Sequence, residues 1–247
     1  MNTKLNYGNE PSQFGILRLP EDVEEGSRLP LVVMFHGGFW RAEYGLDGIS
    51  PLARDLAQRG CATWNVEYRC VGETGGGWPG TFDDAENAVN FVPELAKKYP
   101  IDPARVVILG HSAGGHLALW LASRVTVRAV VAMAGIPDLT RMRQTEKQLG
   151  EHHVLDLMGG EPEEFPDRYK EASPVESKPG RTLCLLFHGD RDVDVPVEQS
   201  IEYCRRHEAL GENAQLHVLP DTDHFDLIDP RSAAWNTVAE TVVALTK

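Results

Sequence analysis

Gly110-His111-Ser112-Ala113-Gly114 stands between a short apolar run at residues 106–109, which predicts a buried strand, and residues 113–123, which predict a helix. A strand, a sharp turn and a helix in that order form the setting of the G-x-S-x-G elbow, whose turn lifts the serine above the sheet. Such a turn crowds the backbone, so the positions two before and two after the serine must be almost free of side chain. Gly110 and Gly114 meet this need, and Ser112 is therefore the predicted nucleophile.

Short apolar runs alternate with helical patterns along most of the chain. The predicted strands lie at residues 31–35, 61–68, 106–109, 127–133, 182–187 and 215–219. Helical periodicity lies between them at 51–59, 113–123 and 196–210, and it closes the chain at 233–245. A further helix is predicted from residue 82 up to Pro100, with Thr81 and Asp84 spaced like a capping box. This alternation predicts a single α/β domain over residues 1–247, with a mostly parallel central sheet covered by helices on both faces.

Residues 138–180 break the alternation. They are polar, contain Gly159-Gly160 and show little helical pattern, and they carry the prolines Pro162, Pro166, Pro174 and Pro179. We predict a cap-like excursion over the sheet edge that roofs a pocket. An ordinary long connection is the alternative.

The serine needs a base and an acid from other loops. A serine hydroxyl is a weak nucleophile until a histidine takes its proton, and a carboxylate must orient that histidine. His224 is the predicted base because it lies in the polar loop after the last predicted strand. The loop after the preceding strand offers Asp190, Asp192 and Asp194, and the chain order serine, aspartate, histidine fits this kind of site. Spacing alone does not choose among the three aspartates.

Hydrolysis also needs backbone N–H groups that bind the oxyanion of the tetrahedral intermediate. The glycine-rich turn His36-Gly37-Gly38-Phe39-Trp40 follows an early predicted strand and can supply them. The N–H groups of Gly38, Phe39 and Ala113 are the predicted oxyanion hole. A tight exit turn without this role is the alternative.

Aromatic residues flank the predicted site. Trp40, Trp78 and His111 are candidate wall residues of a substrate pocket, since such pockets are mostly apolar and aromatic. For Trp78, the alternative is a packing anchor of its glycine-rich loop. The spaced aspartates near Asp192 also look like a calcium loop, but Val195 stands where that loop needs glycine, and the distal glutamate is missing. We therefore expect no metal and no cofactor.

The charge and the apolar runs argue against several classes of partner. The chain has 24 basic and 37 acidic residues and a formal charge of −13, which opposes binding to nucleic acid or to an anionic membrane. No apolar run approaches the roughly 18 residues that cross a bilayer, and the amino terminus shows no signal core. Four cysteines without a Cys-x-x-Cys pair favour reduced thiols. We expect a cytoplasmic protein that acts on a small molecule.

Together these motifs resemble the α/β-hydrolase superfamily over nearly the whole chain, from the strand near Leu31 to the terminal helix. The resemblance implies the α/β-hydrolase fold and a serine-dependent hydrolase. His188-Gly189-x-x-Asp192-x-x-Val195-Pro196 is similar to the acid loop of that superfamily, in which the aspartate at this offset is catalytic. The resemblance therefore implies Asp192 as the acid, rather than Asp190 or Asp194.

Within the superfamily, the 36–40 turn, the elbow and Asp223-His224-Phe225-Asp226 resemble the kynurenine formamidase (arylformamidase) group and nearby small carboxylesterases. The likeness implies hydrolysis of a small carboxylic ester through an acyl-enzyme, with an aryl formamide as the alternative substrate. Phe39 and His111 depart from the pattern of hormone-sensitive-lipase-like esterases. A catalytically silent binding protein and a peptidase are the remaining alternatives. The binding protein would be expected to have lost part of the triad, and a prolyl-oligopeptidase-type peptidase to carry a large propeller.

Overall fold

The structure is a computed structural model that describes residues 2–177, 180, 182–211 and 213–247. Residues 178 and 179, near the end of the predicted excursion and including Pro179, lie outside the described residues. The strands are β1 (Asn2–Asn6), β2 (Phe14–Arg18), β3 (Leu29–Phe35), β4 (Ala62–Val66), β5 (Ile101–His111), β6 (Ala129–Met133), β7 (Leu183–Gly189) and β8 (Ala214–Leu219). They form one sheet in the order β1-β2-β4-β3-β5-β6-β7-β8, in which β3 to β8 run parallel.

Helices connect these strands. They are α1 (Ser50–Gln58), α2 (Gly80–Asn90), α3 (Val92–Lys98), α4 (Ala113–Leu121), α5 (Leu139–Leu149), α6 (His153–Met158), α7 (Pro166–Ala172), α8 (Glu198–Ala209) and α9 (Ala233–Leu245). Short 3-10 turns lie at Leu46–Ile49, Pro174–Glu176 and Asp226–Ile228. No helix in the described part of the chain is long and apolar enough to cross a membrane.

The central strands bury side chains on both faces of the sheet. In β3, Val33 and Phe35 belong to one apolar cluster, together with Phe82 of α2. Val32 lies in a second cluster, which also contains Trp235 of α9. Because successive side chains of a strand point to opposite faces, the two clusters are the two helix-covered layers of the predicted fold.

The first two strands were not predicted. β1 pairs with β2, and β2 pairs with β4, both antiparallel. β1 is a polar edge strand that buries no residue fully, so its sequence shows no apolar run. β2 alternates half-buried and buried positions over only five residues, which is too short to separate from a loop by periodicity.

The helix predicted from residue 82 is two helices. α2 ends at Asn90 and α3 begins at Val92, with Pro93 in its first turn. Proline has no backbone N–H and is accepted at a helix start but not in a helix interior. The capping box was also wrong, because α2 begins at Gly80 and the hydroxyl of Thr81 donates to the carbonyl of Arg69. The carboxylate of Asp84 binds the Arg69 guanidinium instead of an N-terminal amide.

The parallel strands bring four loops to one edge of the sheet. Phe35 of β3 is level with Gly110 of β5, and Gly189 of β7 is level with Leu219 of β8. The loops that follow these four strands therefore start at the same edge. They carry the 36–40 turn, the elbow, the aspartates at 190–194 and His224.

Candidate active site

The elbow has the strained backbone that its sequence predicts. Ser112 has φ 54° and ψ −118°, a region that side chains rarely adopt. A Cβ on Gly110 would lie 2.0 Å from the carbonyl oxygen of Gly114, and a Cβ on Gly114 would lie 2.1 Å from that of Phe35. Both glycines are therefore required by close backbone contacts. The N–H of Ser112 donates to the carbonyl of Met133 at 2.9 Å, which ties the turn to the neighbouring strand.

Ser112 and His224 line the same cavity, which has a volume of about 460 Å³. This volume falls in the range of small-molecule sites, roughly 300–1,000 Å³. Part of the wall is apolar and is made by Tyr44, Ile49, Phe225 and Ile228. Ser112 stands at the N-terminus of α4, where the helix dipole favours negative charge that develops on the substrate.

His224 and Asp192 are in direct contact. The Nδ1 atom of His224 lies 2.7 Å from Oδ2 of Asp192, so a proton on Nδ1 is donated to the carboxylate and Nε2 is left as the acceptor. The other oxygen of Asp192 accepts the amides of Asp194 and Val195 at 3.0 and 2.8 Å. Burial alone would raise the pKa of Asp192, but hydrogen bonds from His188 and His224 hold it well below its usual range. The acid therefore stays ionised.

The other two aspartates of this loop are placed differently. Asp190 is exposed, and its oxygen lies 3.4 Å from the amide of Thr222. Asp194 approaches the site, because single ligand atoms of Asp192, Asp194 and His224 all lie within 4.8 Å of one another. Within the described residues, Asp192 alone among the three aspartates hydrogen-bonds His224.

His111 supports the base through its backbone. Burial lowers the pKa of His111 to about 3, so its imidazole is neutral. Its Nε2 lies 3.0 Å from the carbonyl oxygen of His224, to which it donates. His111 also lines the cavity that holds Ser112. The contact to the His224 backbone links two loops that are far apart in sequence, so no local pattern indicated it.

The glycine-rich turn lies against Ser112. A Cβ on Gly37 would be 3.1 Å from the Cβ of Ser112. Gly38, Phe39 and Trp40 have φ values of 110°, 57° and 56°, three successive left-handed conformations. The N–H groups of Gly38, Phe39 and Ala113 make no hydrogen bond to any described residue. An oxyanion hole needs donors without another acceptor, so the role of these three amides stays a prediction.

The two tryptophans do not reach the cavity. Trp40 is 1% exposed and packs edge-on against His116, so it belongs to the core. Trp78 packs edge-on against Phe82, and its backbone N–H donates to the carbonyl of Leu157. Neither side chain lines the wall beside Ser112. The structure thus places Trp78 as the packing anchor that was its alternative.

The 138–180 segment braces the turn from outside. The Phe39 ring stacks on the ring of His153 in α6, with centroids 4.3 Å apart. Arg41 donates to Nδ1 of His153 at 2.9 Å and also binds Asp156. No described residue of 138–180 lines the cavity that holds Ser112. In the structure, α6 therefore supports the turn that was predicted to bind the oxyanion.

Comparison with known proteins gives the relatives of this chain. The family model BD-FAE matches residues 17–206. Isoprenylcysteine alpha-carbonyl methylesterase ICME of Arabidopsis thaliana is 26% identical, over 97% of this chain and 60% of its own length. Esterase LipC of Mycobacterium tuberculosis is 25% identical, over 92% of this chain and 60% of its own length. The chain thus spans 60% of the length of these two curated relatives.

The solved structures show the fold. The esterase Est2 of Thermogutta terrifontis superposes with a TM-score of 0.79 at 21% identity, covering 97% of this chain and 89% of its own. This likeness and the sheet order confirm the α/β-hydrolase fold that the sequence resemblance implied.

Proposed function

Because the chain belongs to the BD-FAE family, we propose that it is a serine hydrolase that cleaves small carboxylic esters through an acyl-enzyme on Ser112. The observation that carries the proposal is the 2.7 Å hydrogen bond between Asp192 and His224, whose imidazole lines the same cavity as Ser112. Curated relatives named as esterases support the same class of reaction.

The reaction follows from the roles of the three side chains. His224 Nε2 takes the proton of the Ser112 hydroxyl while its oxygen attacks the ester carbonyl, and Asp192 stabilises the imidazolium that forms. The amides of the 36–40 turn and of Ala113 bind the oxyanion. The imidazolium then gives its proton to the departing alcohol, which leaves the acyl group on the serine. Water activated by the same histidine attacks the acyl group, releases the carboxylic acid product and restores the Ser112 hydroxyl.

The cavity supports a small substrate with an apolar part. A volume of about 460 Å³ and the apolar wall at Tyr44, Phe225 and Ile228 suit a short acyl or an aryl group. The same residues would also attack an aryl formamide, because the tetrahedral intermediate carries the same oxyanion. Formamide hydrolysis therefore belongs in the test as the competing activity.

The test combines covalent labelling with a substrate panel. A fluorophosphonate should label the parent protein once, and Ser112→Ala should not be labelled. Turnover is then measured on p-nitrophenyl acetate, butyrate and octanoate, and on N-formylkynurenine. We expect hydrolysis of the short esters. A parent protein that is neither labelled nor active on any ester would refute the proposal. Activity restricted to N-formylkynurenine would show a formamidase instead of an esterase.

We also propose the cytoplasmic location expected from the sequence. Cys61, Cys70, Cys184 and Cys204 are all free thiols, a state that a reducing compartment maintains. Fractionation of cells that produce the native protein would test this, and recovery with secreted proteins would contradict it.

A further inference from the structure

One carboxylate holds two walls of the cavity. Glu67 directly follows β4, and its side chain is 14% exposed. Its Oε1 lies 2.8 Å from Nε2 of His36, the first residue of the 36–40 turn. Its Oε2 accepts the amide of Leu46 at 3.0 Å, where the cavity segment that contains Tyr44 begins its 3-10 turn. Glu67 therefore connects the turn with the facing wall, although it does not itself line the cavity.

The ring of His36 lies between two acceptors. Its Nδ1 is 2.7 Å from the carbonyl oxygen of Gly37, and its Nε2 faces Glu67. A carbonyl oxygen cannot donate, so Nδ1 must carry a proton. Burial raises the pKa of Glu67, but the hydrogen bond and charge of His36 and the amides of Leu46 and Tyr68 hold it below its usual value. Glu67 holds Nε2 of His36 at hydrogen-bond distance, so the proton on Nδ1 stays directed at the Gly37 carbonyl.

Tyr68 fixes the position of the His36 ring. The two rings stack at a centroid distance of 4.4 Å with an angle of 11° between their planes. The Tyr68 hydroxyl also donates to the carbonyl oxygen of His36 at 2.8 Å. His36 is 1% exposed, so water does not compete for its protons. The ring therefore has one orientation, with Nδ1–H directed at Gly37.

The contact with Gly37 decides where the next amide points. In a trans peptide, the C=O of one residue and the N–H of the next point in opposite directions. The hydrogen bond from His36 holds the Gly37 carbonyl on one side of the turn, so the N–H of Gly38 faces the other side. A hydrogen bond to this carbonyl also polarises the peptide and makes the Gly38 N–H a stronger donor.

The turn needs this support because its backbone is strained. Phe39 and Trp40 both have positive φ, and such conformations persist only where the surroundings hold them. Gly38 also lies close to Tyr44, since a Cβ on Gly38 would lie 2.2 Å from the Cβ of Tyr44. A turn without the Glu67 contact would be free to relax, and the Gly38 amide would leave its position.

We propose that Glu67 is a positioning residue of the oxyanion hole: it holds the His36 ring with Nδ1–H on the Gly37 carbonyl, which orients the Gly37–Gly38 peptide so that the Gly38 N–H faces the reacting carbonyl. This inference rests on the proposed function of Ser112. Glu67 touches no reacting atom, and its effect passes through His36.

The test compares Glu67→Gln and Glu67→Ala with a matched glutamate. Glu73→Gln is the control, because Glu73 also accepts a backbone amide in the loop after β4, that of Cys70 at 2.7 Å, but contacts no histidine. Removal of one oxyanion donor costs about 10²- to 10³-fold in turnover, so we expect Glu67→Ala to lose up to that factor in kcat and Glu67→Gln less. KM on p-nitrophenyl butyrate should change by less than about three-fold, since the ground-state carbonyl depends little on the hole. Glu73→Gln should keep the parent kcat.

A spectroscopic measurement reports on His36 directly. In ¹⁵N spectra of the parent at neutral pH, Nδ1 of His36 should show the protonated signature, and in Glu67→Ala, where the ring is no longer held, that signature should be shared between the two ring nitrogens. Thermal unfolding of each variant verifies that it is folded.

The outcomes separate this inference from the proposed function. An Nδ1 of His36 without a proton in the parent, or folded Glu67 variants that keep kcat within about two-fold, would overturn the positioning role while leaving the esterase intact. A loss that appears in KM, or equally in Glu73→Gln, would also overturn it. A parent that neither reacts with phosphonate nor hydrolyses esters would refute the proposed function, and this inference with it.

Discussion

His188 and His224 approach the same oxygen of Asp192. Oδ2 lies 2.7 Å from Nδ1 of His224 and 3.4 Å from Nε2 of His188, and the Asp192 side chain is fully buried. His188 is itself fixed, since its Nδ1 contacts the hydroxyl of Ser200 and its Nε2 the carbonyl oxygen of Val195, both at 2.8 Å. The acid is thus held by contacts on both oxygens, which leaves it a single orientation toward the base.

The first prediction separates Asp192 from its neighbours. Asp192→Asn keeps the shape of the side chain but offers an amide N–H to Nδ1 of His224, which favours the wrong tautomer of the imidazole. The analogous change in a serine protease costs about 10⁴ in turnover, and we expect a loss of that order here. Turnover on p-nitrophenyl butyrate measures it.

Asp190→Asn and Asp194→Asn are its controls. Asp190 is exposed and Asp194 does not hydrogen-bond His224, so each should cost far less than Asp192→Asn. Circular dichroism excludes misfolding. If either control variant loses turnover while Asp192→Asn stays active, the assignment of the acid is wrong, although the proposal of a hydrolase still stands.

The second prediction concerns the strained nucleophile. Ser112→Ala should lose hydrolysis by several orders of magnitude and keep the fold, with about 10³- to 10⁴-fold catalysis over water remaining from binding and the oxyanion hole. Ser112→Gly should be equally inactive but at least as stable as Ser112→Ala. The positive φ at position 112 costs a non-glycine residue about 1–3 kcal/mol of stability. Glycine avoids this strain, and the extra chain entropy that it loses on folding costs only roughly 0.5–1 kcal/mol.

Urea unfolding of the two Ser112 variants measures this balance. A Gly variant clearly less stable than the Ala variant would show that the elbow stores no backbone strain at Ser112. Near-normal turnover of either variant would remove Ser112 as the nucleophile.

The sequence predicted the elements that depend on local sterics and local apolar patterns. The elbow could be found because its two glycines are required by contacts within a few residues, such as Gly110 against Gly114. The bounds of α9 match the prediction because its apolar face repeats within one helix. Choosing Asp192 required the resemblance to a superfamily, since the path of the loop after Gly189 decides which aspartate faces His224.

The sequence did not predict contacts between distant segments. Glu67 meets His36 because β3 and β4 are parallel neighbours with Phe35 level with Val66, and pairing of this kind leaves no local pattern. Trp40 and Trp78 were placed near the site by their positions in the chain. In the structure, side-chain direction, which periodicity does not give within a turn, places Trp40 in the core and packs the partly buried Trp78 against it.

The third prediction is that chelation leaves activity unchanged. Asp192, Asp194 and His224 have ligand atoms within 4.8 Å of one another, which is close enough to hold a metal ion. In the proposed mechanism, however, Asp192 is already occupied by His224 and by two backbone amides. Exhaustive treatment with EDTA should therefore preserve turnover. Activity that vanishes with EDTA and returns with zinc or calcium would contradict the triad.

A buried carboxylate supports the helix that braces the oxyanion turn. Glu146 of α5 is 1% exposed, and its two oxygens accept the amide of Val154 at 2.9 and 3.2 Å, at the start of α6. Burial raises the pKa of Glu146 from 4.5 to about 7, although the Val154 amide and the charge of Arg143 act in the opposite direction. Folding therefore favours the protonated form of this side chain.

The fourth prediction follows from the sign of that shift. A carboxyl whose folded pKa is raised contributes stability that is present below its unfolded pKa and is lost as pH rises through its folded pKa, here between 4.5 and about 7. Glu146→Gln keeps an oxygen for the Val154 amide but cannot ionise. Its free energy of unfolding, relative to that of the parent, should therefore rise by up to about 3 kcal/mol between pH ~5 and pH ~8. Urea unfolding at both pH values measures the difference.

Glu161→Gln is the control, because the Arg143 guanidinium lowers the pKa of Glu161 to about 2 and puts its titration below this pH window. Its difference from the parent should not change between the two pH values. If the difference in free energy of unfolding between Glu146→Gln and the parent is also the same at both pH values, Glu146 is ionised in the folded protein over this pH range. Its pairing with Arg143 would then outweigh the effect of burial.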